Sequence, residues 1–364
     1  MDILYDHQIF SLQVNGGISR YFYELIKNIK IEEQTSVCIK FSNNYYLKKV
    51  NENHMNFFPN FDFRGKHKFI ELYNTYYTQK RLGSISYDIF HPTYYNTYFL
   101  KHIKKPFVVT VHDMIHEKFY RMFSKKDNTI AHKKELMEKA NKIIAISENT
   151  KMDILDIYNN IDDSKIEVIY HGNSVSSSNL KLQKSQIPLP NIYILFVGGR
   201  ATYKNFLPFV EAVTPILRKY KELKVLCIGG GKFNNQELSL FKRNVIESSF
   251  EQLNLNDEDL ILAYKKAKFL IYPSLYEGFG MPILEAFECD CPVVCSNTSS
   301  FPEIAGDAAH FFNPYDKEDI HDSIKELLHD DQRLNDLVKK GRKRALLFSW
   351  EKTSQKTMEV YKSI

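Results

Sequence analysis

The stretch YEGFGMPILEAF, Tyr276 to Phe287, sets two glutamates, Glu277 and Glu285, eight positions apart around a glycine turn. The apolar run FLIYPS stands just before it and reads as a strand. Pro282 suits the first position of a helix, where a missing N–H leaves no hydrogen bond unmade. The helix ILEAFE is expected to begin with free N–H groups at Gly280, Met281 and Ile283, and with roughly half a positive charge at that end. Glycines let a ligand press against such a backbone. N–H groups favour an anion, whereas carboxylates accept hydrogen bonds from hydroxyls. A ligand that carries phosphates and sugar hydroxyls together, such as a nucleotide sugar, would use both. The plain alternative is a solvated turn residue at Glu277 and a first-turn charge favoured by the dipole at Glu285.

A second turn has the same build. FVGGRATYKNF, residues 196 to 206, runs strand, glycine turn, helix, and carries Arg200 and Lys204. Two cations at the mouth of a glycine turn suit a diphosphate, and can stabilise charge that builds on a departing one. The chain has only 14 glycines, and nine of them fall in four groups: Gly16 and Gly17, Gly198 and Gly199, Gly229 to Gly231, and Gly278 with Gly280. Each group follows a strand or precedes a helix, where backbone N–H groups can approach an anionic ligand. The third group fails the dinucleotide fingerprint G-x-G-x-x-G, because Asn234 holds its last place. Glycine there is equally read as a strand end.

The chain's 364 residues exceed one ordinary core, so two domains are expected. Short β-rich runs alternate with helical ones in both halves. DILY, an amphipathic segment from Ile18 to Ile29, SVCIKF, YDIFHP, FVVTVHD, AHKKELMEKA, IIAIS, ENTKMDILDIY and IEVIY make the first. YILFVGG, a helix from about Phe206 to Tyr220, KVLCIGGG, DEDLILAYKKA, FLIYPS, the helix after Pro282 and PVVCSN make the second, and two helical segments close the chain. The alternation implies parallel α/β layers. Residues 173–191 are polar with two prolines and read as a linker between a domain of residues 1–172 and one of residues 192–348. Two such domains imply a cleft, with ligands beyond the carboxyl ends of the strands. Ser300 and Glu303 have capping-box spacing.

Composition narrows the class. A net charge of +5 with interspersed lysines and glutamates, and no nucleic-acid motif, gives no reason to expect a nucleic-acid partner. No apolar run is long enough to span a bilayer, and MDILYDHQIF lacks the basic start of a signal peptide. Five scattered cysteines suit a reducing compartment. Cys289, Cys291 and Cys295 lack the spacing and fourth ligand of a zinc site, so small apolar packing is the favoured reading and no metal is expected.

The sequence resembles the retaining glycosyltransferases of family 4, whose fold is GT-B. The E-x7-E stretch EGFGMPILE carries the resemblance, and NGGISRYFYEL, VTVHDMIHE, AISENTKMDIL, VIYHGN, FVGGRATYKN, YPSLYEGFGMPILEAF and SFPEIAGDAA follow the family's order. FSWEKT is similar to the start of a closing helix, about residues 349–364, that crosses back onto the first domain. The resemblance implies an α/β fold of two Rossmann-like, doubly wound domains facing each other across a cleft. It implies that Glu277, with the backbone of Gly278, Phe279, Gly280 and Met281, holds the donor sugar. Glu285 would bind the nucleotide ribose. Arg200 and Lys204 would hold the diphosphate beside Gly198 and Gly199, Gly16 and Gly17 would approach it from the first domain, and His112 would lie by the transferred sugar. A core histidine is the alternative for His112. In many members an arginine directly precedes the lysine; here Tyr203 stands there and the arginine is Arg200. Asp290 stands where the family commonly has glycine.

The implied activity is transfer of a sugar with retained configuration, from a nucleotide-sugar donor to a glycan or lipid-linked acceptor, without cofactor or required metal. HPTYYN and FVVTVHDMIHE are most similar to the mannosyltransferase branch that builds bacterial surface polysaccharide, including lipopolysaccharide, which implies GDP-mannose; a UDP-sugar is the alternative donor. A non-catalytic sugar-nucleotide or glycan-binding protein is the alternative class. The expected location is cytoplasmic. YYNTYFLKHIKK, residues 94–105, with Lys101, Lys104 and Lys105, and the aromatic and basic residues of 41–81, suit a peripheral contact with an anionic membrane face. The alternative there is a core of aromatics beneath solvated lysines.

Overall fold

The computed structural model describes residues 1–29, 32–51, 54–173 and 187–364. The chain divides into two compact units, Met1–Gly172 with Ser349–Ile364, and Asn173–Phe348. Of the expected linker, residues 174–186 lie outside the described residues.

In the first unit the strands are β1 (Asp2–Tyr5), β2 (Gln34–Val37), β3 (Ile89–His91), β4 (Val108–Val111), β5 (Lys142–Ala145) and β6 (Ile166–Val168). They pair in parallel in the orders β2-β1-β3 and β4-β5-β6, and a parallel bridge between Phe90 and Phe107 links β3 to the chain entering β4. The helices are α1 (Gln8–Leu12), α2 (Gly17–Asn28), α3 (Lys66–Leu82), α4 (Ile115–Lys118), α5 (Thr129–Lys139) and α6 (Glu148–Ile157). Strands β3 and β4 are buried along their whole length, as parallel strands covered on both faces must be. Because β2 and β3 lie on opposite sides of β1, the strand order reverses between β1 and β3. The segments that leave those two strands therefore diverge and leave a crevice.

The second unit holds one six-stranded parallel sheet, with strands β7 (Ile192–Val197), β8 (Leu223–Ile228), β9 (Phe250–Leu253), β10 (Leu270–Tyr272), β11 (Val293–Ser296) and β12 (Ala309–Phe312). Its order is β12-β11-β10-β7-β8-β9, so it reverses between β7 and β10 in the doubly wound manner. Helices α7 (Phe206–Lys219), α8 (Asn235–Asn244), α9 (Asp257–Lys266), α10 (Met281–Glu288), α11 (Phe301–Ala305), α12 (Lys317–Leu328) and α13 (Asp331–Ala345) follow these strands. A core built on Phe196, Phe206, Phe209, Phe241 and Phe250 fills the space between sheet and helices.

Helix α14 (Trp350–Lys362) belongs to the first unit. Its N-cap, Ser349, accepts from the Lys352 N–H at 3.2 Å. Near its end the Tyr361 hydroxyl shares hydrogen bonds with His91 Nδ1 at 2.6 Å and with the Tyr5 hydroxyl at 3.1 Å. Gly172 packs so tightly that an added Cβ would stand 2.1 Å from the Trp350 nitrogen. One expected cap is corrected. Ser300 makes no side-chain cap on α11; its hydroxyl donates instead to the carbonyls of Glu277 at 3.0 Å and Phe279 at 2.9 Å. A reciprocal capping box forms at Asn234 and Glu237, at the head of α8.

Four histidines of the first unit are buried and held neutral. Burial, the leading cause in each, pushes His7 down to about 4 and His91 and His171 down to about 3, and drives His112 well below its ordinary value. Unfolding frees these rings to take up protons near pH 6.5, so below that pH the unfolded chain binds more protons than the folded one. Stability therefore falls as the pH drops through that value, by up to about 1.4 kcal/mol per pH unit for each ring. The urea midpoint of the first unit should fall steeply between about pH 7 and about pH 5; a midpoint that stays flat would refute the neutral burial of these rings.

Candidate functional site

The strand order of the second unit brings the two glycine turns side by side. One leaves β7 and carries Arg200 and Lys204; the other leaves β10 and carries Glu277. The Leu275 N–H donates to the Tyr203 carbonyl at 2.8 Å and stitches the turns together. Lys204 Nζ then donates to Glu277 Oε1 at 2.5 Å, with the two side chains only 14% and 11% exposed. Tyr272, the last residue of β10, is buried beside this pair, and burial together with the Glu277 carboxylate raises its phenol well above the ordinary value. The Glu277 backbone is fixed as well. Its N–H donates to Ser299 Oγ at 3.0 Å, and the Ser299 and Ser300 hydroxyls both donate to its carbonyl.

Gly280 opens α10 with φ of 101°, in the left-handed region that glycine favours, and an added Cβ would meet the Phe301 ring at 3.1 Å. Among the described residues, the Gly280 and Met281 N–H groups have no hydrogen-bond partner, so the helix start keeps two donors for an anion. The third expected donor is corrected: the Ile283 N–H bonds the Gly280 carbonyl at 2.9 Å. Glu285, buried on the first turns of α10, accepts from the Tyr264 hydroxyl at 3.0 Å. Tyr264 comes from α9, and nothing in the sequence marked it as that carboxylate's partner.

Arg200 is brought elsewhere. Its side chain is 4% exposed, and its Nε donates to Glu237 Oε1 at 2.8 Å. The guanidinium also donates to the carbonyls of Gly229 at 3.1 Å, Gly231 at 2.9 Å and Lys232 at 3.0 Å, and lies 4.8 Å from the Phe233 ring. Gly229, Gly230 and Gly231 all have positive φ, which turns successive carbonyls onto this cation. The glycine triplet thus cradles an arginine through its carbonyls, where the sequence had suggested N–H groups facing an anion. Gly198 has φ of 121°, and its N–H donates to the Ile228 carbonyl at 2.9 Å, while Gly199 is exposed.

In the first unit, Gly16 is the N-cap and Gly17 the first residue of α2. His112 follows β4 and is 6% exposed, within 5.2 Å of the Tyr21 ring and 6.0 Å of the Phe22 ring. Neither of its ring nitrogens has a hydrogen-bond partner among the described residues. A core histidine ordinarily satisfies at least one of them, so this ring is left with polar capacity for a ligand. All five cysteines are buried and unpaired, and burial pushes the thiols of Cys289, Cys291 and Cys295 up. Asp290 has φ of 57°, which accounts for a glycine-type position after α10; its carboxylate pairs with Arg342.

Two doubly wound parallel units, with anion-friendly turns at a point of strand reversal, define the GT-B class. The chain belongs to glycosyltransferase family 4: residues 15–176 match the Glycosyltransferase Family 4 pattern, and residues 177–344 match that of the glycosyl transferases group 1. It is 31% identical over 237 residues to the O-antigen chain mannosyltransferase B of Escherichia coli, across 63% of this chain and 62% of that one. It is 25% identical over 238 residues to the serotype-specific mannosyltransferase WbdA of Escherichia coli, across 61% of this chain and 29% of the relative. The chain thus spans less than two thirds of the length of these relatives. Among solved structures, HepE of Anabaena in complex with UDP and glucose has a TM-score of 0.75 at 16% identity, with both chains covered in full. Sucrose-phosphate synthase of Thermosynechococcus elongatus has a TM-score of 0.74 at 18% identity, covering 100% and 98% of the two chains.

The placement of Arg200 makes a testable statement. Arg200→Ala leaves Glu237, whose side chain is 3% exposed, without its counter-charge. Breaking one side of a buried pair costs about 3–5 kcal/mol. Urea unfolding of the variant should show a loss of that size; a midpoint equal to that of the parent chain would remove Arg200 from this structural role.

Proposed function

We propose that this chain transfers a hexose, with retained configuration, from a nucleotide-diphosphate sugar to a glycan or lipid-linked acceptor in surface-polysaccharide synthesis. The observation that carries the reading is the Lys204–Glu277 pair at the strand reversal of the second unit, beside the open start of α10 and the buried Glu285. Binding of a donor exchanges this pair for two better partners. The diphosphate takes the Lys204 ammonium and the Gly280 and Met281 N–H groups, and a sugar hydroxyl donates to Glu277. Glu285 accepts from the ribose. As the sugar departs, Lys204 and the helix start stabilise the charge that builds on the diphosphate, and the same leaving phosphate accepts the acceptor's proton. The proposal gives that charge to these groups and to no metal. Arg200 holds the glycine turn in place, and His112 offers its unbonded ring nitrogens to the transferred sugar.

GDP-mannose is the proposed donor, supported by the mannosyltransferase names of the relatives. A UDP-sugar is the second reading, favoured by the fold shared with a structure that holds UDP and glucose. Turnover and thermal shift of the purified chain with GDP-mannose and with UDP-hexoses separate them, because the bound donor raises the melting temperature. Turnover of neither donor would favour a binding protein that has kept the fold.

We further propose work at the cytoplasmic face of the membrane through a peripheral contact. Among the described residues no helix is long and apolar enough to cross a membrane. The surface of the first unit exposes Phe58 (57%), Phe61 (64%), Leu72 (61%) and Tyr76 (63%), with Arg64 and Lys68 also exposed. Lys66 fixes the loop from inside by donating to the carbonyls of Phe58 and Phe61, each at 2.8 Å. Exposed rings with basic neighbours suit a headgroup layer. In residues 94–105 the rings of Tyr95 and Phe99 are buried, so that segment offers mainly exposed Lys101, Lys104 and Lys105. Co-sedimentation with anionic vesicles should be strong at low salt and drop for Phe58→Ser with Phe61→Ser. Unchanged sedimentation of that variant would rule out the aromatic contact.

The two glutamates and Lys204 should separate in kinetics. Lys204→Ala should lose about 2.7–4 kcal/mol of transition-state stabilisation, read in turnover at saturating donor. Glu285→Gln should mainly weaken nucleotide binding, because a ribose is held alike in ground and transition states. Glu277→Gln should lower turnover more, because the sugar changes charge and shape during transfer. Near-normal turnover of Lys204→Ala, or one kinetic pattern for both glutamate variants, would overturn these roles.

A further inference from the structure

Helix α5 carries a lysine where its spacing calls for an apolar residue. Leu136 and Met137 are buried on its inner face, and Lys133, one turn before them, is buried beside them. The Lys133 side chain is 0% exposed. An ammonium taken out of water is costly unless it is paired and hydrogen-bonded. Here it is both. Lys133 Nζ donates to Glu117 Oε2 on α4 and to the Asp113 carbonyl, each at 2.9 Å. Glu117 is itself 4% exposed, and its other oxygen accepts from the Tyr158 hydroxyl at 3.2 Å. A third neighbour of the ammonium is the Tyr95 ring, whose centroid is 5.1 Å away.

These contacts converge on His112. It follows β4, and the chain turns there into α4, a helix of four residues, too short to hold its own place. The His112 N–H donates to the Tyr95 hydroxyl at 2.9 Å. The next carbonyl along the chain, that of Asp113, is the one that Lys133 holds. The Asp113 carboxylate closes the turn by accepting from the Ile115 N–H at 3.0 Å. One ammonium thus supports the His112 backbone from both sides: through the Asp113 carbonyl, and through the ring of the tyrosine that holds the His112 N–H. The His112 ring itself is fixed by contact alone. It lies edge-on to Tyr21 and Phe22 and 6.3 Å from the His171 ring, and neither of its nitrogens is bonded among the described residues. A ring with no hydrogen bond of its own takes its direction from its backbone and its packing.

Stability does not account for the pair. Desolvation offsets most of the Coulomb gain of a buried ion pair, and apolar residues of similar volume often serve as well or better. A core that only had to be stable would do with an apolar side chain at position 133. What an apolar side chain lacks is a hydrogen bond to the Asp113 carbonyl and a cation against the Tyr95 ring. Burial holds the His112 ring neutral, and the Lys133 charge works in the same direction. A neutral imidazole donates from one nitrogen and accepts at the other, which suits sugar hydroxyls, provided that the ring points the right way.

We propose that the buried Lys133–Glu117 pair is a positioning device that holds His112 at the angle the transferred sugar needs. The inference rests on the transferase reading for the sugar, but not for the hold on His112. Lys133→Met with Glu117→Gln removes both charges, and the new amide can still accept from Tyr158. The urea midpoint and the donor-induced thermal shift of this paired variant should stay close to those of the parent chain. The His112 ring signals in nitrogen NMR, assigned by their loss in His112→Asn, should shift and broaden. Turnover at saturating donor should fall by roughly tenfold, the scale of one lost hydrogen bond, with the donor KM unchanged. In a His112→Asn chain the same two substitutions should cost no further turnover, because a device that acts through His112 has nothing left to position. Tyr95→Phe removes one hydroxyl, keeps the ring, and should reproduce both the loss of turnover and the altered ring signals; it decides the matter alone if the paired variant does not fold. Unchanged His112 signals overturn the positioning role, and so does a loss of turnover as large in the His112→Asn chain as in the parent. Altered His112 signals in a chain that turns over no donor keep the positioning role and sink the transferase reading instead.

Discussion

The Lys204–Glu277 ion pair exists because a parallel sheet must reverse its strand order somewhere. In the second unit that place lies between β7 and β10, and the turns that leave those strands have no helix between them. Opposite charges brought together there lose most of their water, and the Coulomb gain of such a pair is largely offset by desolvation. The pair is therefore a poor source of stability. Its position is nevertheless heavily supported: Leu275 ties one turn to the other, and Ser299 and Ser300 pin the Glu277 backbone. Firm placement of two weakly stabilising charges is what the proposed donor site calls for.

The same economy explains the glycines. Gly280 has no alternative at its backbone angle against Phe301, and its turn presents N–H groups outward. The triplet at Gly229 to Gly231 has the same left-handed geometry but turns carbonyls inward onto Arg200. Two glycine turns on one sheet edge thus have opposite polarity. One leaves N–H groups open at a helix start, and the other is a socket for Arg200 from the turn after β7.

Much of this was legible in the sequence, and the illegible part has a consistent cause. FLIYPS, YILFVGG and FVVTVHD are continuous apolar runs, which suit strands buried on both faces, so parallel α/β layers followed from the alternation, while the doubly wound arrangement came from the family resemblance. The strand-turn-helix build of both glycine turns placed Lys204 and Glu277 at strand ends, and the reversal of strand order did the rest. The role of Arg200 was not readable, because Glu237 lies 37 positions away and nothing local links them. Ser300 misled for a related reason: its spacing to Glu303 satisfies a local rule, but two carbonyls of a distant turn compete for its hydroxyl and win. Helix α3 escaped because its aromatic and basic residues face outward, so the usual apolar stripe is missing. Asp290 stands where the family commonly has glycine, and its positive φ and its pair with Arg342 show an aspartate doing what glycine does, with an ion pair added.

The two units gather different chemistry at equivalent places. Both have a strand reversal, and both gather polar groups beyond it. In the second unit the gathered groups are charged or carry helix-dipole character, as the proposed diphosphate sugar requires. In the first unit they line a cavity and are amides, phenols and imidazoles with one carboxylate, Glu71, and burial keeps His7 and His112 uncharged at neutral pH. A site of that kind, with Glu71 and no lysine or arginine in its lining, does not attract an anion. Its wall is locked by the hydrogen bonds among Asp6, Gln8 and Asn96. Lys204 with open helix N–H groups in one unit, and no lysine or arginine lining the cavity of the other, is the division that the proposed transfer from a diphosphate donor to a hydroxyl calls for.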